Sequence, residues 1–329
     1  MTHLRIVVLD GHTLTPNHPS GPTDPAEPSW DQLAALGPLE IHRRTPADQI
    51  RERMKDAAIV LTNKTPIDAD TIDATPSLKY IGIMATGMNI VDVAHAKARG
   101  IEVANAPAYG TASVAQHTFA LILALTSRVA EHDAAVRGGA WSAGPDFCFT
   151  VAPLSELADK TLGIVGLGDI GRQVASIGHA MGMRIASVPG SSGRRAHVPG
   201  VEVAWHSLED LITQSDVLTL HCPLTDQTAG MINTQRLAKM KHNALLINTG
   251  RGALIDESAL RQALEENRLG GAALDVLNSE PPPSDHPLIG LPRCIVTPHI
   301  AWATQEARQR LMRIVVDKVR TFMDQENSA

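Results

Sequence analysis

Short runs of aliphatic and β-branched residues alternate with longer segments of helical period along almost the whole chain. This alternation restricts the fold more than any other feature. Helical periodicity is clear over residues 171–181 and 257–267, and it places helices between the apolar runs. The sequence therefore predicts an α/β fold with parallel sheets covered by helices. The strands are predicted at residues 4–9, 57–62, 79–85, 161–165, 184–188, 217–221, 244–248 and 271–276.

The alternation falls into two series, one ending near residue 105 and the other near residue 296. A chain of 329 residues has room for about two domains. Residues 113–138 predict one long helix that is too apolar for a solvated surface, so it should pack between domains or against a second subunit. Residues 304–323 predict a final amphipathic helix. Loops rich in Pro and Gly are predicted at residues 15–28, 188–193 and 280–287.

Composition excludes several classes of protein. Hydrophobic residues make up 43% of the chain and charged residues 19%, which is typical of a globular protein. A net charge of -6 favours neither nucleic acid nor an anionic membrane as a partner. Cys148, Cys222 and Cys294 lie far apart and indicate buried, reduced thiols rather than a metal site or a disulfide framework. The chain begins without a signal-peptide pattern, and polar residues interrupt its longest apolar stretch, so we expect a cytoplasmic protein.

A glycine-rich turn follows the predicted strand at residues 161–165. Gly166, Gly168 and Gly171 form a GxGxxG pattern that opens the next helix, and this strand–turn–helix context makes the pattern specific for a dinucleotide. Gly166 permits the tight turn, Gly168 lets the backbone approach a pyrophosphate, and Gly171 lets the helix pack on the strand. The N–H groups at the start of the helix would bind the phosphates.

The end of the next strand bears on which dinucleotide is bound. NAD-selective sites place Asp or Glu there, whereas this chain has Val188 and Pro189. Without the carboxylate nothing repels a 2′-phosphate. The hydroxyls of Ser191 and Ser192 and the guanidinium groups of Arg194 and Arg195 can bind one. The two arginines could instead be solvated loop charges. The sequence thus favours NADP and leaves NAD open.

Three polar segments each follow a predicted strand, where ligands of open α/β sheets bind. They carry Arg251, Glu280 and His299. Reduction of a 2-keto acid needs a proton donor such as His299, and a neighbouring carboxylate such as Glu280 favours a protonated imidazole. The fork of Arg251 can hold a carboxylate and polarise a carbonyl group. Each residue alone has a structural explanation, but their order and strand-end placement favour catalysis.

These motifs resemble those of the D-isomer-specific 2-hydroxyacid dehydrogenase family. The matching segments are GLGDIG at 166–171, NTGRG at 248–252, ALDV at 273–276 with the Glu-Pro that follows, and TPHIA at 297–301. The resemblance implies two Rossmann-like domains, one flavodoxin-like and one dinucleotide-binding, in a homodimer. A substrate domain would comprise residues 1–105 and 297–329. A dinucleotide-binding domain would comprise residues 106–296 and carry the dimerisation helix.

The resemblance also implies residue roles. Arg251 would bind the substrate carboxylate and keto oxygen, and Glu280 would pair with His299, the acid/base. Substrate binding would further involve the backbone of Thr86, Gly87 and Met88. Cofactor contacts besides the three glycines, Ser191 and Arg194 would come from Asp169, Ile170, Cys222, Thr249, Asp275 and Ala301.

Within the family, segments 62–65, 109–116 and 146–148 resemble those of glycerate dehydrogenases, also called hydroxypyruvate reductases. The expected reaction is reduction of hydroxypyruvate to D-glycerate, or of glyoxylate to glycolate. A broader 2-keto acid reductase stays open, as does a phosphoglycerate dehydrogenase that uses Arg43, Arg44 or Lys64 for phosphate. A nucleotide-sensing, corepressor-like protein of the same fold is the alternative outside enzymes.

Overall fold

The computed structural model describes residues 4–15 and 28–328, which form two compact units. Unit 1 comprises Met1–Gly110 and Ala303–Ala329, and unit 2 comprises Thr111–Trp302. Residues 106–110 therefore fall in unit 1 and residues 297–302 in unit 2, a few residues away from the bounds drawn on the sequence. Residues 16–27, most of the loop predicted at 15–28, lie outside the described part of the chain.

Unit 1 contains a five-stranded parallel sheet in the order β2-β1-β3-β4-β5. This is the flavodoxin-like order, so the predicted class of this unit is confirmed. Aliphatic side chains of the sheet, such as Val7, Val60 and Ile81, pack against Met54 and Ile72 of the helices. The strands are β1 Ile6–Val8, β2 Leu39–Ile41, β3 Ile59–Thr62, β4 Tyr80–Ile83 and β5 Glu102–Asn105. The helices are α1 Asp31–Ala34, α2 Ile50–Met54, α3 Ala69–Asp73, α4 Val93–Ala98 and α12 Gln305–Ser328.

Unit 2 contains a seven-stranded parallel sheet in the order β12-β11-β10-β9-β6-β7-β8. The chain leaves β6 in one direction along the sheet and returns to its other side with β9, which makes a topological switch point where such sheets bind ligands. The strands are β6 Thr161–Val165, β7 Arg184–Ser187, β8 Val203–Trp205, β9 Val217–Leu220, β10 Leu245–Asn248, β11 Gly271–Leu274 and β12 Cys294–Val296. The helices are α5 Thr111–Ser127, α6 Val129–Arg137, α7 Ala140–Ala143, α8 Asp169–Ala180, α9 Leu208–Gln214, α10 Thr234–Lys239 and α11 Glu257–Glu265.

The prediction of one helix over residues 113–138 was wrong. Arg128 adopts a left-handed conformation with φ 48°, so α5 ends at Ser127 and α6 begins at Val129. The apolar side chains of α5, including Phe119 and Ile122, join the core of unit 2, where the helix packs on α8, β10 and β11. Part of the apolar surface of α5 is therefore buried within its own unit. Helices long and apolar enough to cross a membrane are absent from the described residues.

Strands β5 and β12 lie where the two predicted series end, but β2 and β8 have no counterpart in the sequence prediction. Strands β2 and β8 each have three residues, lie at sheet edges, and consist of exposed and half-buried residues. An edge strand covered on one side lacks the continuous apolar run that marked the central strands.

Candidate active site

The imidazole of His299 and the carboxylate of Glu280 form a hydrogen-bonded pair in unit 2. His299 Nδ1 lies 2.6 Å from Glu280 Oε2, and the backbone N–H of Leu277 donates to Glu280 Oε1 over 3.1 Å. The two side chains are 26% and 32% exposed, so the pair is accessible to a small molecule. Because Nδ1–H donates to the carboxylate, Nε2 is the ring nitrogen left to act on a substrate. The two residues paired on sequence grounds are thus adjacent.

The loop that carries His299 is held by a buried carboxylate. Asp275, at the end of β11, accepts hydrogen bonds from Thr297 Oγ1 (2.6 Å), Ile300 N (2.9 Å) and Ala301 N (2.8 Å). Its carbonyl oxygen accepts from the N–H of His299 over 2.8 Å. His299 adopts φ 54°, a left-handed conformation that the surrounding bonds must stabilise. Asp275 thus organises the loop, a role that the sequence analysis missed.

The same carboxylate is a buried negative charge. Burial by itself raises the pKa of Asp275, but hydrogen bonds from His117, Thr297 and the loop backbone outweigh burial and hold the pKa below its ordinary value. Asp275 is therefore ionised at neutral pH. A cofactor contact had been expected from this residue, and all the bonds described above come from the protein.

Arg251 lies three residues after the end of β10, on a loop fixed by the buried side chain of Asn248. Asn248 Nδ2 donates to the carbonyl of Arg251 over 2.8 Å, and Asn248 Oδ1 accepts from Gly250 N over 3.0 Å. The exposed Arg251 guanidinium donates to the carbonyl of Gly250 over 2.8 Å. Among residues 4–15 and 28–328, no carboxylate forms an ion pair with Arg251. The guanidinium can therefore take an anion from solution.

Gly252 joins the Arg251 loop to the segment that leads to Glu280. A Cβ atom at Gly252 would lie 2.1 Å from the carbonyl carbon of Leu277, so only glycine allows the two backbones to approach so closely. Leu277 in turn binds Glu280 through its N–H. The backbone segments that hold Arg251, Glu280 and His299 therefore pack together at the carboxyl end of one sheet.

The GxGxxG turn has the geometry of a pyrophosphate cradle. Gly166 has φ 98°, and a Cβ there would lie 2.5 Å from the backbone nitrogen of Cys222. A Cβ at Gly171 would lie 2.2 Å from the carbonyl oxygen of Gly166. A Cβ at Gly168 would meet no heavy atom within 4 Å, so the protein leaves open space above this residue. Bare backbone at the N-terminus of the 12-residue helix α8 fits a dinucleotide phosphate.

Two predicted cofactor residues open α8. The carboxylate of Asp169 is paired with the guanidinium of Arg172, which lies one turn later. Ile170 packs at the edge of the core beside α5 and β6. Both residues directly follow Gly168 in the sequence.

A tight turn follows β7 at the predicted ribose end of the site. Gly193 N donates to Gly190 O over 2.7 Å, and Gly190 N donates to the carbonyl of Arg194 over 2.8 Å. Ser191 lies at the exposed tip of the turn. Since Val188 follows β7 directly, the segment presents hydroxyl and guanidinium groups and no carboxylate.

The two arginines of this segment differ in their surroundings. The guanidinium of Arg195 lies 5.9 Å from the ring centroid of Trp205 in β8, a cation–π contact. In the described part of the chain, Arg194 has no ion pair or ring contact. Arg194 is thus the better placed of the two to bind a free anion.

Other predicted cofactor residues lie at the ends of β9 and β10. Cys222 is half-buried, its Sγ lies 3.8 Å from Met231 Sδ, and burial raises the pKa of its thiol. Thr249 is buried and its Oγ1 lies 3.2 Å from Oγ1 of Thr118. Ala301, two residues after His299, is also buried, and its N–H donates to Asp275. In the described residues no cluster of His, Cys, Asp and Glu is arranged to hold a metal ion. The prediction that all three cysteines are buried was wrong for Cys148, which is exposed.

The predicted carboxylate-binding segment belongs to unit 1, where it follows β4. Thr86 Oγ1 donates to Ala106 O over 3.2 Å, and Asn105 Nδ2 donates to the carbonyl of Thr86 over 2.7 Å. Gly87 is half-buried and Met88 is 40% exposed. These bonds fix the side chain and the carbonyl group of Thr86 and leave Met88 accessible.

A second loop of unit 1 is held by a buried acid that the sequence analysis missed. Asp10, after β1, accepts from the backbone N–H groups of Asn63, Lys64 and Thr65, and Asn63 Nδ2 donates to Met84 O over 2.8 Å. The sequence gives one sign of this role, which is the position of Asp10 directly after the first predicted strand.

Comparison with known proteins finds one family profile and several relatives that are similar to this chain. The profile described as "D-isomer specific 2-hydroxyacid dehydrogenase, NAD binding domain" matches residues 119–301. A hydroxypyruvate reductase of Blautia hydrogenotrophica is 40% identical over 323 residues, which is 97% of each chain. A glycerate dehydrogenase of Methylorubrum extorquens is 42% identical over 278 residues, 84% of this chain and 86% of that one.

A solved structure resembles the whole chain as well. It is an NADPH-dependent glyoxylate/hydroxypyruvate reductase of Sinorhizobium meliloti in complex with NADP and malonate. The TM-score is 0.80 at 28% sequence identity, and the match covers 98% of this chain and 94% of that one.

Proposed function

We propose a reaction for this chain from the premise that it belongs to the D-isomer-specific 2-hydroxyacid dehydrogenase family, whose members are NAD(P)-dependent oxidoreductases. The reaction is reduction of hydroxypyruvate to D-glycerate and of glyoxylate to glycolate. One observation carries the proposal: the 2.6 Å pair of His299 and Glu280 lies at the sheet end that also presents Arg251. Relatives named for these substrates support the choice.

The three residues divide the chemistry between them. The guanidinium of Arg251 holds the substrate carboxylate and polarises the keto oxygen. Nε2 of His299 donates the proton that the keto oxygen gains, and Glu280 stabilises the protonated ring through Nδ1. When bound, the nicotinamide cofactor supplies the hydride. In oxidation of the hydroxy acid, His299 accepts the proton instead.

Further contacts follow from the same proposal. Unit 1 serves as the substrate domain, and the N–H groups of Thr86, Gly87 and Met88 bind the carboxylate. Unit 2 serves as the dinucleotide-binding domain. Its predicted contacts are Gly166, Gly168, Asp169, Ile170, Gly171, Ser191, Arg194, Cys222, Thr249, Asp275 and Ala301.

A substrate panel tests the reaction. Oxidation of NADPH and NADH is followed with hydroxypyruvate, glyoxylate, pyruvate and phosphohydroxypyruvate. We expect the highest kcat/KM with hydroxypyruvate or glyoxylate. A preference for phosphohydroxypyruvate would indicate a phosphoglycerate dehydrogenase, and a preference for pyruvate a broader reductase. Cofactor binding without turnover on any of the four would refute the enzyme and favour a nucleotide-sensing protein.

NADP is the cofactor that we propose. Arg194→Glu places a negative charge where the 2′-phosphate would bind, so the KM for NADPH should rise at least about tenfold while the KM for NADH changes little. Arg195→Glu is the matched control, because Arg195 lies over Trp205. Equal effects of Arg194→Glu on the two cofactors would contradict the assignment.

We also propose a homodimer formed through the segment after α5. Val129, Trp141, Phe147 and Leu154 are 69%, 51%, 89% and 53% exposed, which is unusual for large apolar side chains so close in sequence. Phe147→Asp should lower the molar mass measured by light scattering towards that of one chain. Leu224→Asp, at an exposed leucine elsewhere in unit 2, is the control. An unaltered mass for Phe147→Asp would argue against this interface.

A further inference from the structure

Two consecutive side chains of α5 reach the loops that carry Arg251 and His299. Oγ1 of Thr118 lies 3.2 Å from Oγ1 of Thr249, two residues before Arg251. Nε2 of His117 lies 3.1 Å from Oγ1 of Thr297, two residues before His299. One helix is therefore bonded to both loops, and neither side chain has a part in the reaction described above.

The direction of the first bond follows from the second bond of Thr118. Its hydroxyl donates to the carbonyl oxygen of Val114 over 2.8 Å, so its oxygen accepts from the hydroxyl of Thr249. Thr118 is 0% and Thr249 9% exposed, so water cannot replace this acceptor. Loss of the Thr118 oxygen would leave the Thr249 hydroxyl buried without a partner and release the start of the Arg251 loop.

The second bond fixes the tautomer of His117. The hydroxyl of Thr297 donates to Oδ1 of Asp275 over 2.6 Å, so the Thr297 oxygen accepts from Nε2–H of His117. The same ring nitrogen lies 3.5 Å from Oδ1 of Asp275. His117 thus completes the network that holds the residues on both sides of His299.

We propose that His117 and Thr118 are positioning residues that set the placement of the His299 imidazole relative to the Arg251 guanidinium. This inference rests on the proposed reduction, in which both groups act on one substrate. Helix α5 suits the task because its 17 residues pack on α8, β10 and β11 of the same unit. Small displacements of reacting groups reduce rates strongly, so a helix that anchors both loops stabilises the reactive arrangement.

Thr118→Val tests the Arg251 side of the proposal, with Thr126→Val as its matched control. Thr126 is buried on the same helix, and its hydroxyl donates to Ile122 O over 3.0 Å, the same intrahelical bond that Thr118 makes. Both variants lose that bond, but only Thr118→Val loses the contact with Thr249. We expect kcat to fall about tenfold in Thr118→Val and to stay near the wild-type value in Thr118→Ser and Thr126→Val.

His117 is tested by a pair of variants. Gln places an amide donor close to the position of Nε2, whereas Leu fills similar space without a donor. His117→Leu should lower kcat at least about tenfold, and His117→Gln should recover much of that loss. Thermal unfolding of every variant, measured by circular dichroism, separates lost stability from lost positioning.

The outcomes distinguish this inference from the proposed function. Equal kcat in Thr118→Val and Thr126→Val, at matched fractions folded, overturns the part assigned to Thr118. Equal losses in His117→Leu and His117→Gln overturn the part assigned to His117. If Thr118→Val does not fold, Thr118→Ala is compared with Thr126→Ala in the same way. Absence of turnover by the unaltered protein overturns the proposed reduction and this inference together.

Discussion

His299→Ala is expected to lower kcat for hydroxypyruvate reduction by about 10²–10⁴-fold, the range in which general acid catalysis contributes. The loss arises because Nε2 is the only nitrogen of the ring that is not bonded to Glu280, and alanine leaves the keto oxygen without that proton donor. Cofactor affinity should persist, since the Gly166–Gly171 turn is unaltered. Steady-state kinetics with a fluorescence titration of bound reduced cofactor measure the two properties separately.

Unit 2 offers a matched control in a second histidine–carboxylate pair. His286 Nε2 lies 3.2 Å from Glu257 Oε2, and His286 is only 7% exposed. His286→Ala should therefore lower the free energy of unfolding and leave kcat of the folded protein close to that of the wild type. If His299→Ala retained the wild-type kcat, or if both variants lost it equally, His299 would not be the proton donor.

The central strands could be predicted because both faces of each are covered, which leaves continuous apolar runs in the sequence. Strand β6, at Thr161–Val165, was predicted with its observed bounds. The edge strand β8, at Val203–Trp205, has one partner strand and a half-buried pattern, so its sequence resembles that of a loop. The end of α5 depends on the left-handed conformation of Arg128, a residue type that carries no signal for it.

The candidate site, like the fold, could be predicted from the sequence only in part. The Glu280–His299 pair could be anticipated because parallel strands bring their following loops to one sheet edge. The bonds from α5 could not, because Thr118 and Thr249 are 131 residues apart in the chain. Buried threonine, histidine and aspartate side chains have many possible partners, and only the fold selects among them. Sequence motifs therefore identify groups that act on a substrate more readily than groups that hold those groups in place.

Arg251→Lys is expected to reduce kcat/KM for 2-keto acids by about 10–100-fold, the range for one or two charge-assisted hydrogen bonds. Lysine keeps the positive charge but lacks the planar fork that can bind a carboxylate and a keto oxygen together. The observed loop supports that fork: Asn248 fixes the Arg251 carbonyl, and the guanidinium has no carboxylate partner in the described residues. Arg251→Ala should lose more than Arg251→Lys, because it removes the charge as well.

A control for these variants is Arg261→Lys, since Arg261 is an exposed arginine of unit 2 that pairs with Glu265 over 2.8 Å. Its kcat/KM should equal that of the wild type, because an exposed ion pair contributes little. Comparing Arg251→Lys with Arg251→Ala also separates the effect of the positive charge from that of the guanidinium geometry. If Arg251→Lys matched the wild type while Arg251→Ala did not, the positive charge alone would suffice. Two-point binding by the guanidinium would then be the wrong account of this loop.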